Sequence, residues 1–430
     1  MKYHPINSQL FIKNRAKFAA QMKQKSIAIF NSNDIFTTGA DSTLPFEQHR
    51  DLFYLGGADQ EESILLLFPD AIDPNHKEIL FLTETNKHIA IWYGAKYSKE
   101  EAKAVSGIKT IYWLSEFDKV FYDLMTEAEI IYFNTNEHYR QAKELESRED
   151  RFIKKCKADF PAHKWEKSNQ ILQGLRGVKE PEEIELIQTA CDITNKGFRR
   201  ILPFVKPGIM EYEIEAEFMH EFLRNRSDGW AYTPIVASGY SACVLHYIEN
   251  NKECKDGDML LLDVGSKYAN YSSDMTRTIP VNGCFSDRQK AVYNAVLRVK
   301  TAATKMLSPG VLWAEYQKEV GKLMSFELLG LGLIDKVDVQ NEDPNWPAYK
   351  KYFMHGTSHH MGLDTHDYGQ LKLPMKAGMV FTVEPGIYIP EENMGIRIED
   401  DVVVQKTGEP INLMKNIPIE VEEIEDLMNS

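Results

Sequence analysis

Two nine-residue stretches far apart in the chain share one pattern. GDMLLLDVG runs from Gly257 to Gly265 and GMVFTVEPG from Gly378 to Gly386, and in each the acid stands six residues after the first glycine and two before the second. Asp263 and Glu384 are thus equivalent positions, each at the end of an apolar run that reads as a buried strand. A carboxylate there is costly unless something pairs with it. Each run is followed by a second strand-like segment carrying another acid, Asp274 in NYSSDMTRT and Glu399 in MGIRIEDDVVV. The repetition predicts two β-hairpins, each offering two carboxylates, in a pseudo-symmetric domain whose acids converge between its halves. A strand-end acid facing solvent would explain any one of them, but four in matched places ask for a shared partner.

With 430 residues the chain is too long for one ordinary core, and two domains are expected. Its first part alternates the β-rich runs SIAIF, ESILLLF, EILFL, IAIWYG, TIYWL and EIIYFN with helical segments such as SKEEAKAV, the pattern of an α/β domain built on one sheet. After the charged stretch LESREDRFIKKCKADFPAHKWEKS comes LRGVKEPEEIELIQTACDITNKGF. Here Pro181 suits a first helical position, acids fill the first turn, and Ile184, Ile187, Cys191 and Phe198 sit near helical spacing. A second domain therefore begins near residue 174, dividing the chain into 1–173 and 174–430. In it the long helical segments EYEIEAEFMHEFLRN and DRQKAVYNAVLRVKTAATKML alternate with the acid-bearing strands. The fold class expected is α/β (α+β), an α/β domain followed by a pseudo-symmetric one.

Charge narrows the partners. A formal net charge of −14 with no clustered Lys and Arg argues against nucleic acid as a ligand. The first residues, MKYHPINSQLFIKNRAKF, lack the apolar core of a signal peptide, and no later run approaches the roughly 18 apolar residues of a membrane span. The expectation is a cytoplasmic protein without a membrane partner. Cys156, Cys191, Cys243, Cys254 and Cys284 are odd in number and lack C-x-x-C spacing, so they read as small buried hydrophobes.

One further cluster gives the acids their context. Four of the twelve histidines fall in FMHGTSHHMGLDTHDYG, between His355 and His366, bracketed by Gly356 and Gly362. Four carboxylates plus an imidazole are too many ligands for one structural zinc, which prefers four closed positions rich in Cys or His. They suit two divalent ions sharing carboxylates. An oxygen-rich set with a single nitrogen favours Mn²⁺, with Co²⁺, Fe²⁺ and Zn²⁺ as further occupants. Two such ions about 4 Å apart hold a water between them, lower its pKa and aim it at a carbonyl, which is hydrolytic chemistry.

Asp263 and Asp274 in LLDVGSKYANYSSDMTRT, His359 in HGTSHHMGLDTHD, Glu384 in TVEPGIYI and Glu399 in GIRIEDD together resemble the five ligands of the pita-bread metallopeptidases, which include methionine aminopeptidase, aminopeptidase P and prolidase. The similarity to aminopeptidase P goes further. LHYIENN resembles its His-Tyr strand, GADSTLPFEQHRDLFYLGG its amino-terminal-domain signature, and LRGVKEPEEIELIQTA the opening of its catalytic domain. The resemblance implies that Asp263 ligates one ion, that His359 and Glu384 ligate the other, and that Asp274 and Glu399 bridge both. It implies further that Glu384 relays a proton from a hydroxide shared by the ions, and that His246, His355 and His366 surround the substrate. His366 would stand near the scissile carbonyl, as a donor to the developing oxyanion. Tyr388 and Arg397 resemble residues behind the ligands or around the proline pocket. Asp41 and Trp92 match positions that reach a neighbouring active site in tetrameric relatives. His246 also has the sequence context of a core histidine, and His360 is expected to pack rather than react.

The implied activity is hydrolysis of the bond between a first residue and a following proline, in a homodimer or homotetramer. That bond is a tertiary amide without an N–H, so a pocket for the ring takes the place of the usual backbone contact. The stretch DYGQLKLPMKAGMVFTV, after His366, is shorter than its counterpart in bacterial aminopeptidase P and lacks an arginine found there. Prolidase, which takes only the dipeptide, therefore stays as the alternative, followed by a non-catalytic pita-bread binding module.

Overall fold

The computed structural model describes residues 2–138, 140 and 144–430, with Tyr93 described by its backbone alone. It divides into two compact units, one essentially Tyr3–Arg176 and the other Gly177–Ser430.

In the first unit the apolar runs become β1 (Ser26–Asn31), β2 (Ile64–Leu67), β3 (Glu78–Leu82), β4 (Thr110–Trp113) and β5 (Ile130–Phe133), joined by β6 (Lys164–Lys167). Among the described residues they form one sheet in the order β4-β3-β2-β1-β5-β6. β1 is antiparallel to β2 and parallel to β5, a mixed sheet whose central strands are buried throughout. Two readings need correction. The run IAIWYG is not a strand but part of the helix Lys87–Tyr93, whose cap Asn86 accepts hydrogen bonds from the N–H groups of His88 and Ile89. Its β-rich composition lost to a good N-cap, and Ile91 and Trp92 stand exposed instead of entering a core. β6 went unread because it is a short edge strand, KWEK, in which Trp165 alone packs on the core between charged neighbours.

The second unit begins with the helix Pro181–Ile201, with Pro181 in its first turn beside Glu182 and Glu183. Next come the helix Glu211–Arg224, β7 (Gly229–Trp230), β8 (Ile235–Ser238), β9 (Met259–Val264), β10 (Ser266–Tyr268), β11 (Tyr271–Ser272) and β12 (Met275–Pro280). The helices Asp287–Met306 and Trp313–Gly330 separate these from β13 (Val380–Val383), β14 (Gly386–Ile389), β15 (Met394–Arg397), β16 (Asp400–Val403) and β17 (Ile411–Asn412).

The repeat in the sequence has a matching repeat in topology. β9 pairs antiparallel with β12 and β13 with β16, and each connection carries a small inner hairpin in another sheet, β10–β11 and β14–β15. The expected simple hairpins are thus strand pairs interrupted by a second pair. The glycines explain the shared spelling. Gly257 and Gly378 turn into their strands at φ 84° and 85°, in the left-handed region. Gly265 and Gly386 sit at close approaches: a Cβ would lie 1.9 Å from the Ser273 carbonyl oxygen in the first and 2.6 Å from the Tyr388 hydroxyl in the second.

Candidate metal centre

The doubled strand pairs bring the four acids to one place. Asp263 lies near the end of β9, opposite Thr276, and Glu384 directly follows β13. Asp274 and Glu399 occupy the short breaks before β12 and β16, where strand pairing changes sheet. Free of the ladder, their backbone N–H groups find other acceptors: the Asp274 N–H donates to Asp401 Oδ2 at 3.0 Å, and the Glu399 N–H to the Thr276 carbonyl at 3.0 Å. The Thr276 hydroxyl donates to Glu399 Oε2 at 2.6 Å.

His359 joins them from the loop before β13. Its N–H donates to Thr382 Oγ1 at 3.1 Å, and the Thr382 N–H returns to the His359 carbonyl at 3.0 Å. Its Nδ1 lies 3.0 Å from the His360 carbonyl, a contact that requires the proton on Nδ1 and turns Nε2 toward the acids. Nε2 is 3.4 Å from Asp274 Oδ2 and 3.6 Å from Glu384 Oε1. Ligand atoms of Asp274, His359 and Glu399 all lie within 4.8 Å of one another.

Tyr232, which sequence reasoning missed, ties in the remaining acid. Its hydroxyl is 2.6 Å from both Asp263 Oδ1 and Asp274 Oδ1, so one phenolic proton is shared between two carboxylates. On the other side Arg397 spends each of its nitrogens on the protein: Nη2 to Asp263 Oδ2 at 2.5 Å, Nη1 to the Tyr388 hydroxyl at 2.8 Å and Nε to Thr276 Oγ1 at 3.1 Å. Tyr388 in turn faces His355 Nε2 at 2.8 Å, while His355 Nδ1 is 2.8 Å from the Gly356 carbonyl. Both ring nitrogens of His355 are therefore occupied.

These contacts leave the centre short of positive charge. Burial pushes the Glu399 carboxyl well above its usual range, and the neighbouring Asp274, Glu384 and Asp263 add to the effect. Burial likewise raises Glu384, to about 7, against the pull of His359. It raises Asp263 too, although Arg397 opposes it. His359 goes the other way. Burial disfavours its charge, yet the bond with Asp274 and the fields of Glu384 and Asp274 carry it up to about 9. Burial and the Arg397 charge hold His355 down near 3. Two buried carboxylates, Asp274 and Glu399, and two partly buried ones, Asp263 and Glu384, faced by one arginine and one imidazole fit divalent cations, and the oxygen-rich donor set suits hard ones.

The other residues singled out in the sequence fall as follows. The His366 ring lies 4.1 Å from the His359 ring, centroid to centroid. His246 is exposed in a turn, not in the core, and close enough to contribute to the depression of His355. His360 is buried against Phe381 at 4.4 Å, a packing position. Asp41 and Trp92 are exposed residues of the first unit. The cysteines are all free, but Cys284 is exposed and Cys243 half-buried, so reading all five as buried hydrophobes was wrong. Cys284 lies in the polar turn after β12, where nothing covers it.

A buried, carboxylate-rich centre on a doubled strand motif defines a metal-dependent hydrolase. The chain belongs to metallopeptidase family M24, whose model matches residues 185–406, and the model for the aminopeptidase P N-terminal domain matches residues 11–132. It is 34% identical to the Xaa-Pro aminopeptidase of Escherichia coli over 98% of each chain, and 32% identical to human Xaa-Pro aminopeptidase 3 over 92% of this chain and 79% of that one. Among solved structures it is similar to a zinc-substituted E. coli aminopeptidase P in complex with product. There the TM-score is 0.88, with 31% identity and 99% of both chains covered. No helix among the described residues is long and apolar enough to cross a membrane.

Proposed function

We propose that the chain is an Xaa-Pro aminopeptidase, releasing the first residue of peptides that carry proline second. The observation that carries this reading is the convergence of Asp263, Asp274, His359, Glu384 and Glu399 in a chain whose two parts both match aminopeptidase P. Asp263, Asp274, His359, Glu384 and Glu399 would hold the two ions, Asp263 on one, His359 and Glu384 on the other, and Asp274 and Glu399 on both. Mn²⁺ is the expected occupant. When bound, the ions supply a water of lowered pKa and Lewis acidity toward the scissile carbonyl.

The chain's own groups do the rest. Glu384, beside His359, would relay the proton of the water that the ions activate. His366, beside His359, donates to the developing oxyanion. His355, with both nitrogens engaged, and Tyr388 form a wall of the substrate pocket together with the exposed His246. Asp41 and Trp92 are assigned to a neighbouring subunit's pocket in a homodimer or homotetramer. The domain division at 173/174 and a cytoplasmic setting, which suits five free cysteines, complete the reading.

Arg397 decides between this activity and that of a dipeptidase. A dipeptidase needs a cation for its substrate's carboxylate, and Arg397, buried and bonded through every nitrogen, has none of its charge to spare. Hydrolysis of Ala-Pro and Ala-Pro-Ala in the presence of Mn²⁺ tests the assignment. The tripeptide should be cleaved at least as well as the dipeptide. Cleavage of Ala-Pro with none of Ala-Pro-Ala would make the enzyme a prolidase, and a chain that neither binds added Mn²⁺ nor cleaves either peptide would make it a binding module.

A further inference from the structure

Behind the acids, on the side of the sheet away from the centre, lies a second buried charge cluster that the chemistry does not use. Arg277, in β12, is wholly buried and distributes its guanidinium over four acceptors. Nη1 donates to the Glu399 carbonyl at 2.7 Å and to the Thr276 carbonyl at 2.9 Å, Nε to the Pro418 carbonyl at 2.9 Å, and Nη2 to Asp400 Oδ1 at 2.6 Å. Asp400 is braced in turn by Lys300 Nζ and by Asn412 Nδ2 on its other oxygen.

Two of those acceptors matter more than the rest. Glu399 sits in the break between β15 and β16, where no ladder partner takes its carbonyl, and Arg277 is the group that does. The Thr276 carbonyl it also holds receives the Glu399 N–H, and the Thr276 side chain bonds both Glu399 Oε2 and Arg397 Nε. Thr276 stands two residues after Asp274. One guanidinium therefore fixes the peptide unit that follows Glu399 and the Thr276 carbonyl, which receives the Glu399 N–H two residues after Asp274.

We propose that Arg277, held by Asp400 and Lys300, is a positioning residue for the metal centre: it sets the spacing of Glu399 and Asp274 and so the affinity for divalent ions. This rests on the reading of those acids as metal ligands. A ligand carboxylate held by a rigid surround loses little freedom on binding, and partners behind the ligands are typically worth 10- to 100-fold in metal affinity.

The test is Mn²⁺ titration of the full chain by calorimetry, with the melting temperature of the metal-free protein measured in parallel. Arg277→Lys keeps the charge against Asp400 but cannot reach both carbonyls. It should bind Mn²⁺ about 10- to 100-fold more weakly, with KM for Ala-Pro-Ala little changed and kcat recovering as Mn²⁺ is raised. Asp400→Asn, which keeps an oxygen for Nη2 but loosens the brace, should move affinity the same way by less, and it carries the test if Arg277→Lys does not fold. Wild-type Mn²⁺ affinity in whichever of these variants folds would overturn the proposal, even with a lowered melting temperature. A wild-type chain that binds no Mn²⁺ and hydrolyses peptides regardless of chelator would instead remove the reading of the acids as ligands, and this proposal with it.

Discussion

Glu399 and Asp400 are consecutive carboxylates, each about 1% exposed, yet their surroundings are opposite in charge. Asp400 faces Arg277 and Lys300, which outweigh the effect of burial and hold its carboxyl down near 2. Glu399 faces three other acids and rises well above the usual carboxylate range. On the rear face the protein supplies its own cations; on the front four acids outnumber Arg397 and His359, and the remaining counter-charge is left to come from solution. The cost of that gathering is the physical basis for metal binding, since a site comfortable without cations would gain little from holding them.

The largest expected effect falls on the front face. Asp274→Ala and Glu399→Ala should each lose both ions and reduce peptide hydrolysis to background, because each acid is assigned to both ions. Metal analysis alongside an Ala-Pro-Ala assay checks this. Asp274→Ala with full activity and intact metal content would end the two-ion reading.

The next effect is on stability, and its sign separates the faces. Asp400→Asn leaves Arg277 and Lys300 without their shared anion and should destabilise the metal-free protein by about 3–5 kcal/mol. Glu399→Gln removes one of several mutually repelling acids and should leave the metal-free protein as stable or more so. Denaturant unfolding in the presence of a chelator measures both. A shift in the same direction for the two variants would dissolve the distinction between the faces.

How much of this could be read from the sequence depended on the range of the interactions. The strand pairs of the second unit were legible because their glycines mark real constraints, a left-handed turn at Gly257 and Gly378 and a close approach at Gly265 and Gly386. The acids followed from the same repeat. The groups that tune them did not. Tyr232 reaches acids 31 and 42 residues away, and Arg277 reaches Glu399 across 122, and no local periodicity encodes such pairings. Where local signals competed, as in IAIWYG, β-rich composition suggested a strand and the Asn86 cap produced a helix. The inner hairpins β10–β11 and β14–β15 were hidden because their strands are two to four residues long, too short to establish a period.

A third buried acid has neither a cation partner of the Asp400 kind nor a place at the centre. Glu149, in the first unit, accepts from the Asn31 N–H at 2.7 Å and from Asn31 Nδ2 at 3.0 Å. Burial nevertheless raises its carboxyl to about 8, more than the Asn31 bonds and the Arg148 charge can offset. Between the unfolded value near 4.5 and the folded value near 8 the folded state holds the extra proton, so stability falls as pH rises through that window. Glu149→Gln keeps a carbonyl acceptor for the Asn31 N–H and has no proton to lose. It should stabilise the first unit at pH 8 by about 4 kcal/mol relative to wild type, with the difference shrinking toward pH 4.5. Amide hydrogen exchange in β1, the strand that ends at Asn31, measures this without requiring the whole chain to unfold in one step. Equal protection of wild type and variant at both pH values would mean that Glu149 is ionised at little cost. Burial without a cation would then not be what sets Glu399 apart from Asp400.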